Sequence, residues 1–245
     1  MKKNLVQKII TDLQTGYNTI AADFDRTRQH NWDVLSRTLR PFLRPDTRLL
    51  DAGCGSGRLV KIAAEAGVPI SYVGLDSAAI LLELAHKNFG LHYKSVSLQW
   101  QEGSLSDDLF LEESFDLIVA AASFHHIPSR ALRREVIARW QRVLAPGGTL
   151  IMLNWYLWTR PAFHKYHLWR QIFLNSFRGY EWGDFFIPWK NQQQGIVAQR
   201  YYHSFTKREI AGLFAADIWV LRQNDVISVS GGDVAQSILT VAHKR

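Results

Sequence analysis

Apolar residues recur at helical spacing through the first 45 residues. Leu5, Ile9, Ile10 and Leu13 make one stripe, and Trp32, Leu35, Leu39 and Leu43 make another. Pro41 and Pro45 mark where this helical stretch ends. From Thr47 the pattern changes to strands alternating with helices. Leu49-Leu50 opens a buried strand, followed by a glycine turn and a helix from about Arg58 to Ala66. Ile70 to Leu75 reads as a second strand, Ala78 to Asn88 as a helix, Tyr93 to Gln101 as a third strand and Phe115 to Ala121 as a fourth. Arg130 to Leu144 reads as a helix stopped by Ala145-Pro146-Gly147-Gly148, with a fifth strand at Thr149 to Asn154. Beyond residue 204 the pattern predicts a helix at Lys207 to Ala215. Strands follow at Ile218 to Gln223 and Ser237 to Ala242, an antiparallel pair turned at Gly231-Gly232-Asp233. The fold class expected is α/β, with a mostly parallel sheet covered by helices on both faces and an antiparallel last strand.

Residues 155–203 break this rhythm. They hold five of the nine tryptophans, and six basic against two acidic residues. Residues 1–48 are also basic, nine against five, whereas residues 49–154 carry nine against eleven. The net charge of +7 therefore sits on two flanks around a neutral to slightly acidic middle. A basic surface attracts polyanions, nucleic acid above all. The long aromatic and basic stretch is thus a candidate substrate-recognition element, or an extra cap with its own aromatic core. The remaining composition, 47% hydrophobic and 21% charged, excludes general disorder. No apolar run approaches the roughly 20 residues of a membrane span, and the start of the chain lacks an apolar signal segment, so a cytoplasmic protein is expected. With Cys54 the only cysteine, no disulfide forms within the chain, and no metal site is expected. His164 and His167 lie a turn apart, without an acidic or cysteine partner nearby in sequence.

The most informative stretch is Asp51-Ala52-Gly53-Cys54-Gly55-Ser56-Gly57, between a buried strand and a helix. Glycines there let the backbone turn sharply and approach a ligand. Asp76 ends the next strand, 19 residues beyond Gly57, where a carboxylate reaches a ribose diol. An acid at position 51 repels a pyrophosphate but suits a ligand with a cationic centre. Cys54 reads as a small packing residue rather than a nucleophile.

On these residues, 47–154 resemble the class I S-adenosylmethionine-dependent methyltransferases, whose fold is a Rossmann-like seven-stranded sheet. The resemblance implies that Gly53, Gly55 and Gly57 hold the amino-acid part of S-adenosylmethionine, with Asp51 beside them. It implies too that Asp76 binds the ribose hydroxyls and that Ser104, after Gly103, stands beside the adenine. The family often has Asp at that last position. Phe115-Asp116-Leu117-Ile118-Val119 and Leu144-Ala145-Pro146-Gly147-Gly148 also match.

The flanks resemble one subgroup, the tRNA wobble-uridine carboxymethyl methyltransferases, which include the methyltransferase domain of the eukaryotic AlkB-homologue tRNA enzyme. The matching segments are Tyr17 to Arg28 with Trp32, Ser123-Phe124-His125-His126-Ile127, Asp184 to Lys190 and Arg200-Tyr201-Tyr202-His203-Ser204-Phe205. After the fifth strand the family tends to read Trp-Ala-x-Glu-Gln, whereas this chain reads Trp155-Tyr156-Leu157-Trp158-Thr159. The chain is then expected to be one domain. Residues 1–46 form N-terminal helices, 47–154 the cofactor core, 155–203 the recognition insertion and 204–245 the closing helix and strands.

The resemblance implies tRNA as partner, together with a small zinc-binding activator protein. A carboxylate acceptor is already ionised at pH 7 and needs a donor fork rather than a base, and Arg28 and Arg200 are the candidates. Trp155, Trp189, Tyr201, Tyr202 and His203 are the candidate acceptor-side residues, the tyrosines and Trp189 by stacking on an unpaired base. His125 and His126 stand at the end of the fourth strand, beside the expected methyl position. Two other readings compete. One is a small-metabolite methyltransferase with His125 or His126 as base. The other is a cofactor- and tRNA-binding module without catalysis.

Overall fold

A computed structural model describes residues 1–27, 32–191, 195–229 and 236–245. Helix α1 (Lys3–Thr27) is one continuous rod, followed by α2 (Asp33–Leu39). The core then runs β1 (Thr47–Ala52), α3 (Leu59–Ala64), β2 (Ile70–Asp76), α4 (Ala79–Phe89), β3 (His92–Tyr93), β4 (Val96–Glu102), β5 (Phe115–Ala121), α5 (Arg130–Val143) and β6 (Leu144–Trp155). The insertion contributes α6 (Arg160–Lys165), α7 (Leu168–Phe177), β7 (Asp184–Asn191) and β8 (Gly195–His203). The chain closes with α8 (Lys207–Ala211), β9 (Trp219–Ser228) and β10 (Gln236–Lys244).

The main sheet has eight strands rather than seven, in the order β3-β4-β2-β1-β5-β6-β10-β9. The extra strand is β3, two residues folded back antiparallel on β4, too short to leave an alternating signature. Strands β4, β2, β1, β5 and β6 run parallel, while β10 is antiparallel to both β6 and β9. The pairing of β9 with β10 is the one the sequence predicts, although Gly231 to Asp233 lie outside the described residues. The stop at Ala145 to Gly148 appears as a register shift. Leu144 pairs with Phe115, and the next pair is Thr149 with Leu117.

Central strands carry runs of consecutive apolar residues, such as Leu117–Ala121 of β5, because both faces are covered. Along β5, Leu117 and Val119 enter the core shared with α2 and α3, whereas Ile118 and Ala120 enter the core shared with α5 and α8. The chain builds outward from β1 to β2 and β4, then returns to the other side of β1 with β5. A crevice opens at such a reversal, outside the carboxyl ends of the strands. Strands β7 and β8 form a separate antiparallel ribbon, and α1 packs on β8 through Ile9, Leu13 and Tyr201. Among the described residues no helix is long and apolar enough to cross a membrane.

Candidate active site

The crevice is a cavity of about 520 Å³ between the ends of β1, β2 and β5, helix α1 and the ribbon. The glycine loop forms one wall, and its glycines do different jobs. Gly53 has φ +84°, and a Cβ there would sit 2.3 Å from the Cβ of Ser123, so the loop and the turn after β5 are packed backbone to side chain. Gly57, φ +82°, lies under Trp100, whose ring a Cβ would meet at 2.9 Å. Cys54 is buried and packs toward Gly74, and burial lifts its thiol well above the ordinary range, so it is inert.

Two carboxylates face this wall. Asp76 accepts from the Gly55 amide at 2.8 Å and the Ala78 amide at 2.9 Å, which ties the loop to the end of β2. Burial raises its pKa. Asp51 is buried and accepts a 2.6 Å bond from the Tyr72 hydroxyl; burial raises its pKa to about 7. Neither acid forms an ion pair among the described residues. Ser104 lines the cavity beyond Asp76, its hydroxyl 2.9 Å from that of Ser106 and its amide bonded to Asp107.

The opposite wall comes from β8, the turn after β5, and α1. Ala122 takes a left-handed backbone, φ +59°, unusual for a residue with a Cβ, and this turn presents Ser123, His125 and His126. His125 is buried and stacked on Tyr202, ring centres 4.9 Å apart. Its Nδ1 accepts the Trp155 amide at 3.2 Å, so the neutral ring carries its proton on Nε2. Burial, with His126 and Arg200 nearby, depresses its pKa well below the usual histidine range. His126 has Nδ1 2.6 Å from the Tyr201 carbonyl, so that nitrogen donates, and Nε2 accepts from the Tyr17 hydroxyl at 2.7 Å. Burial lowers its pKa to about 3. Both rings are neutral at pH 7. No ring nitrogen of His126 is left to take a proton.

Arg200 stands at this wall, 4% exposed, with its Nε unbonded. Its guanidinium lies 4.8 Å from the centre of the Trp189 ring, 5.2 Å from Tyr202 and 6.0 Å from Trp155. Burial alone would lower its pKa, but the phenols of Tyr202 and Tyr17 outweigh that and raise it. Among the described residues it has no carboxylate partner. Trp189 stands behind it, held by an indole bond to Asp23 at 3.0 Å. Trp155 stacks on Tyr202 at 5.0 Å.

The sequence-predicted residues divide accordingly. Asp51, Gly53, Gly55, Asp76, Ser104, His125, His126, Trp155, Arg200 and Tyr202 line the cavity. Gly57 lies just behind its wall, and Arg28 falls outside the described residues, next to cavity-lining Thr27. Two acceptor-side expectations are corrected. Tyr201 points the other way along β8, as alternation requires, and its hydroxyl donates to Asp184 at 2.7 Å among Ile9 and Leu13 of α1. His203 is buried away from the cavity, with Nδ1 2.6 Å from Asp184 and Nε2 2.7 Å from Glu209. Those two acids outweigh burial and raise its pKa. Glu181, Asp184 and His203 are close enough to share a metal ion, but Arg133 on Glu181 and the doubly paired His203 already supply the positive charge there.

Sequence reasoning missed Tyr17 as a site residue. Its position four residues after Leu13 on the buried stripe was the available signal. Lys165 and Tyr166 also line the cavity, and nothing in their pattern marks them.

The methyltransferase-domain family profile matches residues 49–148, the strand–loop–helix unit and the strands beside it. A putative methyltransferase of Encephalitozoon cuniculi is 27% identical over 77% of this chain and 78% of its own length. A Schizosaccharomyces pombe protein named tRNA (carboxymethyluridine(34)-5-O)-methyltransferase is 24% identical over 90% of this chain and 88% of its own. Among solved structures, a SAM-dependent methyltransferase from Methanosarcina mazei superposes with a TM-score of 0.67 at 25% identity, covering 84% of this chain and 96% of that one.

S-adenosylmethionine fits the residues at the loop wall: a cationic ligand meets two acids that form no ion pair among the described residues, and a ribose diol meets the carboxylate of Asp76, which backbone amides hold in place. The methyltransferase-domain match lies over the unit that builds this cavity, and likenesses to S-adenosylmethionine-dependent methyltransferases run along most of the chain.

Proposed function

We propose that the chain methylates the carboxylate of a 5-carboxymethyl-uridine at the wobble position of tRNA. The observation that carries this reading is Arg200, a buried cation with no acid partner among the described residues, set in an aromatic box on the cavity wall. Burying an unpaired charge is costly, and a site that does so is built for an ion that arrives with the ligand. A carboxylate matches the planar guanidinium fork.

When bound, S-adenosylmethionine supplies a methyl group on a cationic sulfur. The chain then has to align an acceptor oxygen with it and keep water out. In this reading Gly53, Gly55, Gly57, Asp51, Asp76 and Ser104 hold the cofactor, and Arg200, with Arg28 as a second cation, holds the carboxylate. Trp155 and Tyr202 give a stacked surface for the base, and Trp189 backs the guanidinium. His125 borders the reacting atoms as a neutral donor through Nε2, and His126, its two nitrogens engaged by Tyr201 and Tyr17, borders them as a neutral ring. An ionised carboxylate needs no base, which agrees with histidines whose acceptor nitrogens are taken. The same engagement weighs against a hydroxyl or amine acceptor. A small anionic metabolite is the second reading, favoured by the apolar lining of Ile10, Leu13 and Leu81 in a cavity of this size.

The whole chain is taken as one methyltransferase domain, with residues 155–203 as its recognition element. The proposed partners are tRNA and a small zinc-binding activator. A putative Haloferax volcanii methyltransferase, solved in complex with the Trm112 methyltransferase activator, shares this fold with a TM-score of 0.65.

The test is transfer of labelled methyl groups to tRNA pools with and without carboxymethylated wobble uridine, with and without added activator, followed by nucleoside mass spectrometry. Base-labile label in a uridine methyl ester is the expected result. Cofactor binding with no label in any tRNA pool would move the acceptor to a small molecule.

A further inference from the structure

Helix α7 packs inward on the ribbon through Leu168, Ile172 and Asn175, whose side-chain amide donates to the Asp184 carbonyl at 2.8 Å. Its other side carries Trp169, Phe173 and Phe177, four residues apart and therefore in one stripe. Trp169 is 63% exposed and Phe177 77%. Beyond the helix, Trp182 is stacked on Trp158 at 4.2 Å and is still 62% exposed. Side chains this large gathered in the open mark an interaction surface.

The charge around them has one sign. The insertion's two acids are turned inward, Glu181 to Arg133 and Asp184 to His203 and Tyr201. Arg160, Lys165, Arg170 and Arg178 are exposed and form no ion pair among the described residues. Flat rings beside uncompensated cations suit a partner with both stackable faces and regular negative charge, which is a single-stranded nucleic acid. The surface also adjoins the site: Lys165 and Tyr166 line the cavity, and α7 begins at Leu168.

We propose that α7 is where a single-stranded segment of the substrate RNA docks while one of its nucleotides occupies the cavity. Trp169 and Phe177 act as stacking platforms, and Arg170 and Arg178 neutralise phosphates. This rests on the reading of an RNA acceptor. A lipid surface would share the cations, but the apolar stripe here is three rings on a ten-residue helix, small for an interfacial anchor.

The experiment measures binding of the full chain, loaded with S-adenosylhomocysteine, to a short RNA stem-loop by fluorescence anisotropy across a salt series. The Trp169→Ala/Phe177→Ala variant is expected to bind about tenfold or more weakly, with the salt slope unchanged. The Arg170→Glu/Arg178→Glu variant is expected to bind more weakly, with a slope shallower by about 0.7 for each phosphate it no longer neutralises. Calorimetric binding of S-adenosylhomocysteine should be unchanged in both, which establishes that they fold. Unchanged RNA affinity in both variants overturns the proposal. So does an aromatic variant that loses only binding to phosphatidylserine vesicles, or only self-association. Binding is read here rather than methylation. RNA held through α7 with no methyl transferred would therefore overturn the acceptor reading and support the docking surface.

Discussion

The two ends of the cavity are built with opposite charge. At the glycine-loop end, Asp51 accepts from the Tyr72 hydroxyl and Asp76 from backbone amides, and neither forms an ion pair among the described residues. At the ribbon end, Arg200 sits among aromatic rings with no ion pair among the described residues. Each end withholds the counter-charge that a merely structural site would have supplied, since breaking a buried pair leaves an uncompensated charge. A donor carrying positive charge and an acceptor carrying negative charge complete the two ends, and the neutral His125 and His126 lie between. By contrast, the Asp184–His203–Glu209 and Arg133–Glu181 cluster beneath the ribbon is fully paired, which is the pattern of a clamp rather than a receptor.

The largest effect expected follows from removing the positive end. Arg200→Met should lower kcat/KM for the acceptor by roughly 100-fold or more, because a charge-assisted fork is removed. Calorimetry should find cofactor affinity unchanged, and thermal unfolding should find stability equal or higher, because an unpaired buried charge has been replaced by an apolar side chain. A large fall in stability instead would make Arg200 a structural residue and end the contrast.

Removing an acid at the other end should separate stability from binding. The Asp51 carboxyl titrates near 7 in the fold and near 3.8 as an ordinary side chain. The native state therefore holds the proton more tightly than the unfolded one, so stability of the free protein falls as pH rises from about 3.8 to 7. The penalty above pH 7 is at most about 4 kcal/mol. Asp51→Asn should raise the Tm at pH 8 by roughly 5 °C or more, with little gain at pH 4, while cofactor affinity falls about tenfold. A Tm gain that does not change with pH would remove the charge argument.

The smallest effect expected is at the seam. Tyr17→Phe leaves His126 Nε2 without its donor and loosens the phenol beside Arg200. Acceptor KM should rise about three- to tenfold with kcat little changed, the size of one missing hydrogen bond. Equal falls in kcat and kcat/KM would instead assign Tyr17 to the transition state.

Most of the sheet was legible because buried strands must be apolar and the loops between them must turn. Leu49–Asp51, Phe115–Ala121 and the glycines between 53 and 57 carry that signal locally. Strand β3 was not legible, since two residues make no period. The ribbon was readable only as a motif: Arg200-Tyr201-Tyr202-His203 looked like one recognition segment. In an extended strand, however, alternate residues face opposite ways, so only Arg200 and Tyr202 reach the cavity. Tyr201 and His203 belong to the packing against α1 and α8.

The sequence by itself determined the parallel core, the glycine loop, and the placing of an acid at the end of each of the first two strands. These depend on residues adjacent in the chain or one secondary element apart. The tertiary structure decided which side chains face one another across the cavity. Tyr17, His126 and Arg200 are separated by more than 70 residues of chain in each step. They meet only because α1 packs on β8 and the turn after β5 donates to the β8 backbone. The protonation of the histidines was decided there too. Burial and hydrogen-bond partners set it, and no spacing along the chain encodes either.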